Sequence, residues 1–107
     1  TDQPVRDGGD GTSPAPFDYF LVSIAACTGF YALAFCRERR ISTEGLAMTM
    51  TAERGEASRL IAKITVSVRL PAGFPDKYRQ AVVRAMEQCT VTANILQAPR
   101  FEIVVKP

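Results

Sequence analysis

Residues 19–36 form an unbroken run of eighteen residues without a charged side chain. Asp18 precedes the run, and a basic cluster (Arg37, Arg39 and Arg40) follows it. An acid near the start and bases near the end are what the dipole of a helix favours. Pro16 is tolerated because it falls in the first turn. The pattern predicts one long helix from about Pro16 to about Arg39.

A run of this length also raises the possibility of a membrane span. At ~1.5 Å per residue it covers roughly 27 Å, somewhat short of a comfortable crossing. The rest of the chain supplies amphipathic segments that need a core to pack on. We therefore favour a central buried helix of a soluble fold and expect no membrane partner. In a chain of 107 residues, such a helix is covered on every side only with help from a partner subunit.

The remaining segments predict an α+β fold in one domain, residues 1–107. After a turn-rich segment at 1–15 and the long helix, residues 46–53 and 60–70 alternate apolar and polar side chains, as in an antiparallel hairpin. Residues 76–88 have helical periodicity, 90–96 fit a short helix, and 101–105 fit a last strand. This order predicts an antiparallel sheet covered on one face by helices.

The chain contains no histidine, which excludes a Ser-His-Asp triad, a Cys-His pair and every zinc site that uses histidine. Its three cysteines, Cys27, Cys36 and Cys89, are an odd number without a C-x-x-C pair. That pattern fits neither a secreted disulfide framework nor a zinc knuckle, and a reducing cytoplasm suits it better. The net charge of +2, without a long basic stripe, argues against nucleic acid as a partner.

Cysteine is therefore the strongest nucleophile available. Nine residues separate Cys27 from Cys36, so on one helix they face opposite sides. Cys89 lies on another element, at the N-terminus of the short predicted helix, where the helix dipole would lower the pKa of a thiol. For each cysteine the alternative is simple packing as a small buried hydrophobe, and we assign Cys36 to packing. The alternative for Asp18 is that it only complements the helix dipole.

Two segments resemble a known family. Residues 8–21, GGDGTSPAPFDYFL, followed by 23–28, SIAACT, resemble the glycine-rich, proline-led start of the central helix in the OsmC family. These are the osmotically inducible and organic hydroperoxide resistance proteins. Residues 89–96, CTVTANIL, are similar to the Cys-x-Val-x-x-x-Leu run of that family. The resemblance covers about residues 8–105.

The resemblance implies an OsmC-like fold, an intertwined homodimer and a cytoplasmic thiol peroxidase of stress defence that needs no cofactor or metal. Cys27 would be the peroxidatic cysteine, Cys89 the resolving one and Asp18 the partnering acid. The substrate would be an organic hydroperoxide, and an external dithiol would reduce the resulting disulfide. The alternative is a dimeric binding or structural module with the same fold and inert thiols.

This sequence departs from the family pattern at two places. The family activates its peroxidatic thiol with an arginine on an N-terminal strand further upstream than Thr1, and here only Arg6 precedes the helix. Either strands precede this sequence or the activation differs. In addition, Asp18 stands two residues after Pro16, whereas some members have a glutamate at the position of Phe17.

Overall fold

A computed structural model describes all residues, 1–107, and its longest element is the helix α1, Pro16–Glu38. Pro16 occupies the first helical turn, and the Asp18 carboxylate accepts a hydrogen bond from the Ala15 N–H (2.8 Å). At the other end Arg40 adopts a left-handed conformation, φ 55°, and the Ile41 N–H reaches back to the Cys36 carbonyl (2.9 Å). The long helix predicted from the uncharged run is therefore confirmed.

Two antiparallel strands follow, β1 (Ala47–Arg54) and β2 (Ile61–Arg69). Ala47 pairs with Arg69, and the register continues regularly to an irregularity at Glu53/Arg54 beside the turn. One face of the hairpin lies against α1. A Cβ added to Gly29 would lie 3.1 Å from Met48 Cε, so a glycine on the helix allows this close approach. The predicted hairpin is confirmed.

After one 3-10 turn at Asp76–Tyr78, the chain forms α2 (Arg79–Met86) and α3 (Thr90–Leu96). Both α2 and α3 pack on α1. The main apolar core lies at the interface between α1 and α2 and consists of Phe35, Cys36, Phe74 and Val82. The two predicted shorter helices are confirmed, the first of them with a 3-10 opening turn.

The predicted strand at 101–105 is wrong. Residues 98–107 have no regular secondary structure, and the four apolar residues Phe101, Ile103, Val104 and Val105 are 63–93% exposed. Alternation of apolar residues makes a segment suitable for a strand, but a strand forms only where a sheet edge accepts its hydrogen bonds. Within the chain the only sheet is the two-stranded hairpin, and this segment does not pair with it.

The fold of one chain leaves much apolar surface uncovered. Only nine of 107 residues are buried, and the radius of gyration is 17.5 Å, against roughly 13 Å for a compact domain of this size. On α1 the buried residues are Ile24, Thr28, Ala32, Phe35 and Cys36, which form one stripe along the helix. The expectation that α1 is buried on every side is therefore not met within a single chain.

The N-terminal segment is organised by one carboxylate. Asp2 accepts hydrogen bonds from the N–H groups of Gln3, Asp10 and Thr12 and from the Thr12 hydroxyl, at 2.9–3.2 Å. A Cβ on Gly9 would overlap the Gln3 carbonyl, so only glycine fits there. The predicted turn-rich segment is thus a closed loop that leads the chain onto α1.

Candidate functional site

Cys89 stands at the junction between α2 and α3 and is the N-cap residue of α3. Its Sγ accepts a hydrogen bond from the Thr92 N–H at 3.5 Å, and its own carbonyl accepts the first helical bond from Ala93 (3.0 Å). The side chain is completely buried. The hydrogen bond to the backbone at the start of α3 therefore fixes the direction of the Cys89 side chain.

Cys27 lies on α1, on the side against which α3 packs, and its side chain is only half-buried. Its side chain is near enough to Cys89 to contribute to the lowered pKa of that thiol. All three cysteines are free thiols in this structure. The fold thus brings together two cysteines that are 62 positions apart in the sequence, and it leaves one of them accessible and the other enclosed.

The surroundings of Cys89 favour its ionised form. Burial raises the pKa of the thiol, but hydrogen bonds from Cys27, from the Thr92 hydroxyl and from the N–H groups of Thr92 and Val91 outweigh burial. The net result lowers the pKa of Cys89 to about 7. Because the thiolate is the reactive form of cysteine, the lowered pKa gives Cys89 a larger thiolate fraction at neutral pH than an ordinary thiol has.

Cys36 has a different environment. It is fully buried in the α1–α2 core beside Phe35, Phe74 and Val82. Burial raises the pKa of its thiol, and it lies nine residues from Cys27, about 13.5 Å along the helix axis. The structure places Cys36 in the apolar core, as the sequence predicted.

A family model described as OsmC-like protein matches residues 9–104. This chain belongs to the OsmC-like family. The family is associated with stress response, and its members are often peroxidases. No curated protein matches the chain.

The fold of this OsmC-like chain is similar to a crystal structure of a proposed osmotic stress induced and detoxification response protein from Psychrobacter arcticus 273-4. The two chains are 21% identical, the TM-score is 0.74, and the match covers 88% of this chain and 69% of the other. At this identity the likeness concerns the fold.

Asp18, the acid predicted to assist Cys27, lies at the N-terminus of α1 with its carboxylate on the Ala15 N–H. It is exposed and stands nine residues before Cys27, about 13.5 Å along the helix axis. The structure does not bring the two together within one chain. Arg6, the only basic residue before α1, is exposed and pairs with Asp7 at 3.7 Å.

Thr92 is the site residue that sequence reasoning missed. A hydrogen-bonding residue three positions after a helix N-cap is a known signal, because the N3 position lies beside the cap. Here the N-cap side chain accepts from the Thr92 N–H in the usual direction, but the acceptor is a thiol sulfur in place of an oxygen. The spacing Cys89-x-x-Thr92 was available in the sequence and would have identified Thr92.

An apolar groove runs beside α3, and neither Cys27 nor Cys89 is among its wall residues. One cavity of about 590 Å³ lies between the start of α1, the start of β2 and the end of α3, with Phe17, Phe20, Ile61, Ile64, Ile95 and Leu96 in its walls. A second, of about 510 Å³, shares Phe20 and Ile95 and extends to Thr90 and Val91, which directly follow Cys89. The structure contains no group of His, Cys, Asp and Glu side chains that could hold a metal ion.

By length and composition alone, α1 could also cross a membrane. The core helix of a soluble protein passes the same test, so this property carries little weight. Helices α2 and α3 and strand β1 pack along α1, whose buried residues form one stripe.

Proposed function

We propose that this protein is a thiol-dependent peroxidase that reduces organic hydroperoxides to alcohols in oxidative or osmotic stress defence. The observation that carries the proposal is that Cys27 on α1 is near enough to Cys89, at the start of α3, to lower the pKa of that thiol, in a chain of the OsmC-like family. Two cysteines can form a disulfide where their Cα atoms lie within about 7 Å of each other.

The different exposure of the two thiols supports the proposed roles. Cys27 is half-buried and open to a substrate, whereas Cys89 has no exposed surface. Cys27 sulfur attacks the terminal peroxide oxygen, the O–O bond breaks, and an alkoxide leaves to become the alcohol. The resulting Cys27 sulfenic acid condenses with Cys89 and releases water. An external dithiol then reduces the disulfide by thiol exchange.

The apolar groove supports an organic substrate. Its walls next to the site are formed mainly by side chains such as Phe20, Val91 and Ile95, which favour an alkyl or aryl group over water. Hydrogen peroxide has no apolar part to bury in such a groove. We therefore expect an organic hydroperoxide to be preferred to hydrogen peroxide.

The protein is proposed to work as an intertwined homodimer. Large apolar side chains of α1 face outwards, among them Tyr19, Val22 and Phe30, and a second copy would bury them. Residues 1–107 then act as one domain of a cytoplasmic protein, without a cofactor and without nucleic acid or membrane as partner. Asp18 is the acid expected to assist the reaction, and within its own chain it stabilises the start of α1.

Oxidation with cumene hydroperoxide tests the proposal. We expect a Cys27–Cys89 disulfide in peptide mass spectrometry, Cys36 left as a free thiol, and repeated turnover when a dithiol is supplied. The matched control is Cys36→Ala, which should retain both the disulfide and turnover. Absence of the disulfide together with absence of turnover would favour the alternative, a dimeric binding or structural module with inert thiols.

A further inference from the structure

The apolar groove beside α3 carries charge at one end only. Its first cavity, between the start of α1 and the start of β2, has Arg59 and Lys63 in its wall. The second cavity continues from the shared residues Phe20 and Ile95 along α3, and no charged side chain lines it. The groove is therefore a continuous apolar surface with positive charge at one end and none at the other.

The two positive charges of the groove have no carboxylate partner in the chain. Neither Arg59 nor Lys63 forms an ion pair. Glu53 stands opposite Lys63 in the register of the hairpin without pairing with it, and the Asp18 carboxylate is engaged by the N–H of Ala15. Both cations therefore remain available to attract an anion into the groove.

Arg54 holds the charged end of the groove in place. Its guanidinium donates a hydrogen bond to the Arg59 carbonyl (2.6 Å) across the hairpin turn and lies 5.9 Å from the centre of the Phe17 ring, which is a wall of the first cavity. These contacts fix the turn that carries Arg59 against the start of α1, and they bring a third positive charge beside the cavity. The acid of this turn, Glu56, is not among the wall residues.

We propose that the groove is a binding site for a free long-chain carboxylate, with its carboxylate at Arg59 and Lys63 and its alkyl chain along Phe20 and Ile95. The apolar walls favour the chain, and the unpaired cations favour the anionic head. The two cavities, of about 590 and 510 Å³, lie in the range of about 300–1,000 Å³ typical of sites for small molecules. Because no cysteine lines the groove, the inference goes beyond the proposed peroxidase and does not rest on it.

Isothermal titration calorimetry with decanoate tests the site in the unaltered protein. We expect saturable binding of one decanoate per chain. Affinity should be about tenfold higher than for octanoate, because two further methylene groups enter the apolar part of the groove. No saturable binding, as when a second copy of the chain covers the groove, would overturn the inference. Binding to phosphatidylglycerol vesicles without binding of free decanoate would also overturn it and would make a membrane surface the occupant.

The double variant Arg59→Gln/Lys63→Gln tests the charged end. It should weaken decanoate binding by about tenfold or more and change the affinity for uncharged 1-decanol by less than about twofold. The matched control, Arg69→Gln/Arg84→Gln, removes the same net charge at exposed positions outside the groove and should leave both affinities in place. An equal loss of decanoate affinity in the two double variants would refute recognition by Arg59 and Lys63.

Two further measurements separate this inference from the proposed function. Cys27→Ala should bind decanoate as the unaltered protein does, and a lower affinity in Cys27→Ala would contradict a site that is independent of the thiols. Arg59→Gln/Lys63→Gln should keep turnover of cumene hydroperoxide, which carries no charge. Decanoate binding without hydroperoxide turnover would refute the peroxidase alone, whereas turnover without decanoate binding would refute only the carboxylate site.

Discussion

The guanidinium carbon of Arg39 lies 3.6 Å from the centre of the Phe35 ring, one turn back along α1. The same group donates a hydrogen bond to the Phe35 carbonyl (3.4 Å) and lies 5.5 Å from the centre of the Tyr78 ring. Arg39, a member of the basic cluster, therefore covers the aromatic side chains of the α1–α2 core at the end of α1.

Replacing Arg39 should consequently destabilise the fold. We expect Arg39→Ala to lower the free energy of unfolding by about 1–2 kcal/mol, because it removes both the stacking and the covering of apolar surface. Arg37→Ala, at an exposed position of the same cluster, should change it by less than about 0.5 kcal/mol. Urea unfolding at one fixed protein concentration measures both. Equal effects of the two variants would show that the stacking contributes nothing.

Cys36 should matter for stability and not for thiol chemistry. Its side chain is fully buried among apolar groups, so Cys36→Ser places a hydroxyl among side chains that offer it no hydrogen bond. The substitution should lower the free energy of unfolding by about 1–3 kcal/mol. Cys36→Ala leaves only a small cavity and should cost less. Thermal unfolding ranks the two variants. Loss of the Cys27–Cys89 disulfide after hydroperoxide treatment of Cys36→Ala would contradict the separation of Cys36 from the site.

Local patterns predicted most of the elements. The uncharged run and its flanking charges specified α1, and alternation over 46–53 and 60–70 specified the hairpin, because each depends on neighbours in the sequence. Residues 101–105 have the same alternation, but a strand also needs an edge supplied by distant residues. Within one chain no edge is paired with them, so the pattern alone was insufficient.

For the site, too, local features could be predicted from the sequence, whereas contacts between distant residues could not. Helical spacing separated Cys27 from Cys36, but it contains no information about which element packs against Cys27. Only the resemblance to a family connected Cys27 with Cys89, and the packing of α3 on α1 places Cys89 near Cys27. The partner of the Asp18 carboxylate, in contrast, is three residues away, which is why the helix-end alternative for Asp18 was available from the sequence.

The loop held by Asp2 should open in acid. Hydrogen bonds from the Thr12 N–H, and then from the Thr12 hydroxyl and the Asp10 N–H, lower the pKa of Asp2 below its ordinary value of 3.8. Because the pKa of Asp2 is lowered in the folded protein, its carboxylate stabilises the loop fully above about pH 4. This stabilisation is lost as the pH falls through the pKa of Asp2 in the folded protein. The protection of the Thr12 amide, taken as its exchange rate relative to the intrinsic rate at the same pH, should therefore fall in acid.

Asp2→Asn supplies the comparison for that measurement. The amide side chain accepts fewer of these hydrogen bonds, so the Thr12 amide should be less protected at pH 7, and the loss of protection in acid should disappear. Asp10→Asn is the matched control, because Asp10 contributes its backbone N–H, which the substitution retains. An identical pH profile in Asp2→Asn and the unaltered protein would refute the role of the carboxylate.

Phe30 tests the proposed homodimer. Its side chain is 61% exposed on α1, its ring contacts Tyr31 edge-on with centroids 5.4 Å apart, and apolar residues such as Val22 lie exposed on the same helix. A charge placed in a buried interface is strongly unfavourable, so Phe30→Asp should shift the protein from dimer to monomer in sedimentation equilibrium at micromolar concentration. Glu56→Arg, in the exposed turn of the hairpin, also changes surface charge and should leave the dimer intact. If Phe30→Asp remains as dimeric as Glu56→Arg, this face of α1 does not meet a second copy.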